Sequence, residues 1–463
     1  MNQTYEQFLK NRRFVAPDAG FACDELNPNL MDWQSVIVRW ALKKGRAALW
    51  AGCGLGKTLM QLEWAHQIVI KTGGDVLVLA PLAVAEQSMR EGLKFGIPAK
   101  VCRHGSDVED GITITNYEMI HEFDPSRFIG VVLDESSLLK ASDGKTRKIL
   151  TESFENTPYR LCCSATPAPN DHMELATHAE FLGTMKRSEM LSMFFVHDGG
   201  DTSKWRLKKH AVNDFWKWIC SWAVMLRKPS DIGFDDSVFT LPPMTRKQVT
   251  VPSDWTPDTL FPVEAKTLGE RRDARRASME RRVAEAAYLA NVTHADEPVL
   301  VWCDLNAESV ALTEAIPDAV EVTGSDSNAV KAQSMQDFAD GKVRVLVSKP
   351  TLCGFGMNWQ HCAVMIFVGL SDSFEQVYQA ERRCWRFGQK RSVTSYMITS
   401  EAEGAVVRNQ DRKLADFEIM GARMIEFMQE EMERELGVIT AARLPYNPQQ
   451  EMKLPSWLKE ITQ

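Results

Sequence analysis

Residues 51–58 read AGCGLGKT, the composition of a phosphate cradle. Gly52, Gly54 and Gly56 let backbone N–H groups converge on phosphate oxygens, and the start of a following helix adds partial positive charge. Lys57 can then reach the terminal phosphates, while Thr58 offers its hydroxyl to magnesium. This chemistry calls for a nucleoside triphosphate with Mg²⁺. Further on, residues 131–137 read VVLDESS. A carboxylate at the C-terminal tip of a buried strand beside such a loop is placed to bind magnesium, which is the role expected of Asp134. Its neighbour Glu135 is placed to orient and deprotonate the attacking water, because in-line hydrolysis needs a base about one hydrogen bond from the nucleophile. Late in the chain, Arg383 and Arg386 stand three apart, so on a helix they project from one face. Planar guanidinium groups there would neutralise the charge of a transferring phosphoryl group.

Strands and helix starts must hold these groups, and the hydrophobic pattern supplies them. Over residues 47–163, short β-rich runs (AALWA, VLVLA, ITIT, GVVLDE, YRLCCSA) alternate with helical stretches such as TLMQLEWAHQIVIK. That alternation predicts βαβ units around a buried parallel sheet. It stops near residue 183, where the sequence turns tryptophan-rich and basic and ends in a proline-bearing stretch, FTLPPMTRKQVTVPSDWTPDTLFP, that reads as a linker. An Arg-rich helical stretch covers about 264–292, and alternation resumes with PVLVWC, AVEVTG, KVRVLVS, AVMIFVG and SVTSYMI. The fold class expected is therefore α/β: a lobe at 1–182, a helical basic insertion with linker at 183–293, a second lobe at 294–400 and an acidic helical tail at 401–463. Residues 401–436 carry ten acidic and five basic side chains, and 446–463 read as loosely ordered.

Composition narrows the function class. With 463 residues, 44% of them apolar and 25% charged, the chain has the profile of a folded, water-soluble protein of several domains, not of a disordered or fibrous one. The longest apolar stretch, around 76–85, contains a proline and falls short of the roughly 20 residues a membrane span needs. The polar first residues, MNQTYEQFLKNRRF, have no apolar core of a secretory signal, so a cytoplasmic location is expected. Ten cysteines without a C-x-x-C pair make a structural zinc site an unpromising reading. The net charge of −8 means that any polyanion-binding surface is local. Residues 204–228 provide one: seven Lys or Arg against one Asp, interleaved with Trp205, Trp216, Trp218 and Trp222. The tryptophans, at helical spacing in FWKWICSW, read more as packing than as base stacking, whereas Lys208 and Lys209 are the expected phosphate contacts. The stretch 264–293, with seven basic and five acidic residues, reads equally as a salt-bridged helix or a DNA face.

The motifs in order carry a family resemblance. The A-x-x-G-x-G-K-T loop, D-E-x-x at 134–137 and SATP at 164–167 resemble the first lobe of superfamily-2 helicases and translocases. VSKPTLCGFGMNWQ at 347–360 and QAERRCWRFGQ at 379–389 are similar to the fifth and sixth motifs of the Swi/Snf-like branch, here in a compact layout like that of bacteriophage and prokaryotic members. The resemblance spans about residues 30–398. It implies two RecA-like lobes that close on ATP and Mg²⁺. It makes Arg383 and Arg386 fingers to the γ-phosphate, Gln34 the reader of the adenine edge, and Gly356 and Gln379 further ATP contacts. Ser164, Ala165 and Thr166 would couple ATP state to movement. Thr115, Lys349 and Thr351 would track a nucleic-acid backbone. Ser137 departs from the pattern, standing where many relatives have histidine or glutamine, and Arg382 stands where glycine or aspartate is common.

The activity implied is that of a DNA-stimulated ATPase moving along or remodelling DNA, independent of base sequence. A strand-separating helicase or branch-migration enzyme is the alternative within the class, and an ATP-gated DNA clamp or recruitment factor the alternative outside it. A protein partner for the acidic tail is a further expectation, and no membrane partner is.

Overall fold

The computed structural model describes residues 16–436 apart from 142–143, 199–200, 254–266 and 354–356. The sequence-stretch expectations for the first residues, for 446–463 and for Gly356 therefore lie outside the described residues.

Two parallel sheets organise the chain. The first comprises β1 (Arg46–Ala51), β2 (Asp75–Ala80), β3 (Ala99–Val101), β4 (Ile112–Asn116), β5 (Phe128–Asp134), β6 (Tyr159–Ser164) and β9 (Ala223–Leu226), in the order β3-β4-β2-β5-β6-β1-β9. β1, β2 and β5 are buried along almost their whole length, because helices cover both faces; this is why they read as continuous apolar runs and not as alternating ones. Between β6 and β9 lies a small antiparallel hairpin of β7 (Phe195–Asp198) and β8 (Asp201–Leu207). The second sheet comprises β10 (Met244–Val251), β11 (Val299–Cys303), β12 (Ala319–Val322), β13 (Val345–Ser348), β14 (Val364–Val368) and β15 (Val393–Ser400), ordered β10-β15-β14-β11-β13-β12. This α/β architecture of two parallel-sheet lobes is consistent with the expected RecA-like pair.

Two expectations are corrected and a third is extended. The region 183–293 is not one helical insertion: β9 pairs in parallel with β1, Ala48 opposite Ala223, and closes the edge of the first sheet. Its four apolar residues follow FWKWICSW, and so short a run cannot be told from a helical turn by periodicity. The proline-bearing linker contains β10, which pairs with β15 along eight residues from Met244 opposite Val393 to Val251 opposite Ser400. Pro242 and Pro243 precede this edge strand and so remove no ladder bond. The acidic segment is helical over its described residues, as expected, and it also packs. A helix over Gly404–Leu436 starts on the second lobe, where Val406 is buried, and then lays Phe417, Met420, Met424 and Phe427 into the core of the first. Each such burial contributes about 1.5–3 kcal/mol.

Among the described residues, no helix is long and apolar enough to cross a membrane.

Candidate nucleotide site between the lobes

In a parallel α/β sheet, ligands sit at the C-terminal ends of the strands. Here β5, β6 and β1 are neighbours, with Trp50 opposite Ser164 and Asp134 opposite Cys163. Their tips deliver the phosphate loop, the SATP segment and the DE pair to one edge. Helix α1 (Asp32–Lys44) precedes β1, and α2 (Lys57–Thr72) starts at the loop itself. Gly54 and Gly56 have φ of +87° and +71°, conformations that favour glycine. A Cβ on Gly56 would also lie 2.5 Å from Gln34 Nε2. Lys57 Nζ donates to Ala51 O at 2.8 Å across the loop, and half-buried Thr58 follows it. Gln34 is buried: its Oε1 accepts from Met31 N–H at 3.0 Å and its Nε2 donates to Leu55 O at 3.1 Å, clipping α1 to the loop.

Asp134 is buried at the end of β5, its backbone carbonyl accepting a hydrogen bond from Tyr117 Oη at 2.7 Å. Burial pushes its carboxyl above the usual carboxylate range, with Lys57 opposing. Glu135 holds a left-handed backbone, φ 55°, costly for a residue with a side chain and common where geometry serves a site. Its accessibility is intermediate, but the cleft walls crowd it, and desolvation pushes it from 4.5 to about 7, against the attraction of Lys57. A carboxylate with that affinity for protons suits a general base near neutrality.

The opposite wall comes from the second lobe. Helix α3 (Phe374–Cys384) presents Glu375, Gln379 and Arg383 at four-residue spacing, hence on one face. Gln379 Nε2 lies 3.5 Å from Glu135 Oε2, while its buried Oε1 has no partner among the described residues. Arg383 donates from Nε to Gln379 O at 3.0 Å and from Nη1 to Met357 O at 3.3 Å. Arg386 donates from Nη1 to the same carbonyl at 3.1 Å, and its buried Nε has no partner among the described residues. Burial, then Arg383, push the Arg386 guanidinium down to about 10, the mark of a cation short of compensating charge. A Cβ on Gly54 would come within 3.3 Å of Phe387 N, so this arginine loop lies against the phosphate loop. The arrangement fits a nucleoside triphosphate with magnesium: a glycine cradle, a lysine, two buried acids and an under-partnered arginine pair converge on one cleft.

The remaining expected residues are less concentrated. Ser164 Oγ accepts from Thr166 N–H at 3.0 Å, Ala165 is buried, and Thr166 Oγ1 donates to Glu375 Oε1 at 3.0 Å across the cleft. Thr115 is 1% exposed, its hydroxyl unpartnered among the described residues, so its side chain is out of reach of a phosphate backbone; the expected contact is corrected on that ground. Thr351 is exposed and Lys349 half-buried at the tip of β13. Lys208 Nζ donates to Ser192 O at 2.7 Å and Met193 O at 3.0 Å, ending the helix at Arg187–Phe194, whereas Lys209 is exposed. Trp216, Trp218 and Trp222 are core; Trp205 is half-buried against His197. In the Arg-rich stretch, Arg271 pairs with Asp372, Arg275 with Asp304 and Glu403, and Arg282 with Glu308, so these cations fasten helices to the second lobe. Arg382 packs over Tyr378 and Trp385. Sequence reading missed Glu375 and Lys140, which meet across the cleft; the only signal was Glu375 standing one helical turn before Gln379.

Fold and site together define a protein of two parallel-sheet lobes with a candidate nucleotide site where they face each other. Residues 284–388 match the helicase conserved C-terminal domain, a match that ends at Gly388 in the arginine loop. It supports a helicase-type protein of superfamily 2, hence a nucleic-acid-dependent ATPase in general terms, and such proteins use ATP and Mg²⁺. No curated protein matches the chain.

Proposed function

We propose that this chain is an ATP-driven DNA translocase of the Swi/Snf-like kind, which couples hydrolysis to movement along or remodelling of DNA. The observation that carries the reading is the arginine loop of one lobe set against the phosphate loop of the other, with Arg386 Nε unpartnered among the described residues. Gln34 and Gln379 line the nucleotide, Gly52, Gly54, Gly56 and Lys57 hold its phosphates, and Thr58 and Asp134 hold Mg²⁺. Glu135 activates water and Arg383 with Arg386 stabilise the transferring phosphoryl group. Closure on DNA brings the fingers in; hydrolysis releases them; Lys209, Lys349 and Thr351 grip phosphates meanwhile. The work is done in the cytoplasm of a prokaryote or of its phage-infected host, and the acidic C-terminal segment is offered to a protein partner.

The test is steady-state ATP hydrolysis with duplex DNA, single-stranded DNA, a four-way junction, RNA or no polymer, alongside displacement of a third strand from a triplex. The reading expects a rate raised at least about tenfold by DNA and ATP-dependent displacement of the third strand. Strand separation without triplex displacement would favour the helicase reading, and ATP binding with no stimulated turnover the clamp.

A further inference from the structure

We infer that Glu375 is the closure latch of the enzyme, a positioning residue that ties the second lobe to two segments of the first, the one after β6 and the short helix after the DE pair. This rests on the ATPase reading above. Glu375 lies in the first turn of α3, and its two carboxylate oxygens serve two different parts of the other lobe. Oε1 accepts from Thr166 Oγ1 at 3.0 Å, in the segment after β6; Oε2 accepts from Lys140 Nζ at 2.5 Å, in the short helix Leu138–Ala141 that follows the DE pair. The Lys140 and Glu375 side chains are only 11% and 16% exposed, so the pair is largely withdrawn from screening water. A carboxylate satisfied by two donors that exist only when the lobes meet holds one relative placement of the lobes and no other.

That placement matters because the same helical face continues into the site. One turn beyond Glu375 stands Gln379, 3.5 Å from Glu135, and one turn further Arg383. A slip of α3 along the first lobe would therefore move the latch, the Glu135 contact and the arginines together. Ser137, where relatives place a longer polar side chain, is buried in the first lobe. Lys140, three residues later, reaches across instead. Glu375 touches neither nucleotide nor water in this scheme: it sets where Gln379, Arg383 and Arg386 stand when ATP is bound.

The experiment is a charge swap in the full chain: Glu375→Lys, Lys140→Glu, the double variant and the conservative Glu375→Gln, each checked for folding by circular dichroism. Each charge reversal should lower the kcat of DNA-stimulated hydrolysis roughly tenfold or more with the dissociation constant for a non-hydrolysable ATP analogue within about twofold of wild type, since phosphates are held by the first lobe alone. The double variant should recover to within about threefold of wild type, because the pair is restored with its sign inverted. Small-angle X-ray scattering should show a larger radius of gyration for each reversal and the wild-type value for the double variant. Single reversals that hydrolyse ATP at the wild-type rate, or a double variant no better than its parents, would overturn the latch. Should the wild-type chain hydrolyse no ATP, the ATPase reading falls, and the scattering series alone decides the latch: identical radii in all four proteins would sink it.

Discussion

The two lobes divide the labour unequally. The first carries the groups proposed to hold the phosphates and magnesium, from the glycine cradle and Lys57 to Asp134 and Glu135, gathered at the tips of three adjacent strands. The second brings no phosphate cradle among its described residues; it brings one helix and the loop after it, with Gln379, Arg383 and Arg386. On the proposed reading, holding the phosphates is thus a property of one lobe, while chemistry is a property of the closed pair. Interactions that form only on closure favour the transition state over the ground state, which is where rate enhancement arises.

The largest effect that would expose this division is Arg386→Ala. It should cost about 10³–10⁵ in stimulated kcat while leaving the affinity for ATP nearly unchanged, as measured by steady-state kinetics beside equilibrium titration of an ATP analogue. A rise in KM with an intact kcat would place the arginine in ground-state binding and undo the comparison.

Glu135→Gln, on the binding lobe, should lower kcat by about 10²–10⁴ with ATP still bound, since it removes the base and spares cradle and magnesium site. The wild-type rate should itself rise as Glu135 ionises around pH 7, the value to which desolvation lifts it. The same shift predicts a stability effect. An acid whose folded pKa is raised favours the folded state fully below its unfolded value, here 4.5, and loses that contribution as pH climbs through about 7. Thermal unfolding should therefore find Glu135→Gln stabilised relative to wild type by roughly 1–2 kcal/mol at about pH 8, with the gain shrinking towards about pH 4.5. A stability difference that does not change with pH would show that the carboxyl titrates normally.

The smallest effect belongs to the periphery of the first lobe. Lys209→Glu should weaken DNA binding about two- to fivefold and reduce the salt slope by about one, as one fewer counterion is released. Lys208→Glu should act mainly on folding, because its amine already holds two backbone carbonyls. Equal effects of the two reversals on the salt slope would return Lys208 to the DNA surface.

Legibility followed the same divide. The phosphate loop and DE pair were readable because their chemistry is local: glycines, a lysine and acids at fixed spacing beside strands whose two-sided burial makes them continuous apolar runs. The arginine pair was readable from the motif around it, QAERRCWRFGQ, but its helical spacing is corrected: the helix ends at Cys384, and Arg386 stands in the loop beyond it. What escaped was non-local. β9 is four apolar residues whose meaning comes from β1, far earlier in the chain. β10 holds three apolar residues, Met244, Val249 and Val251, its exposed positions are Thr245, Lys247, Gln248 and Thr250, and prolines flank it, so it passed for a linker. Thr115 matched a motif, yet sits where β4 is covered on both faces. Glu375 and Lys140 are an unremarkable glutamate and lysine until folding sets them 235 residues apart in sequence and in contact across the cleft.

The most direct test is a structure of the full chain with duplex DNA, Mg²⁺ and a planar transition-state mimic of the γ-phosphate. The account predicts that the Arg386 guanidinium leaves the Met357 carbonyl and, with Arg383, lies about 3 Å from the mimic's equatorial atoms, with a water between the mimic and Glu135. Both arginines remaining on Met357 while the mimic is bound by the first lobe alone would contradict it.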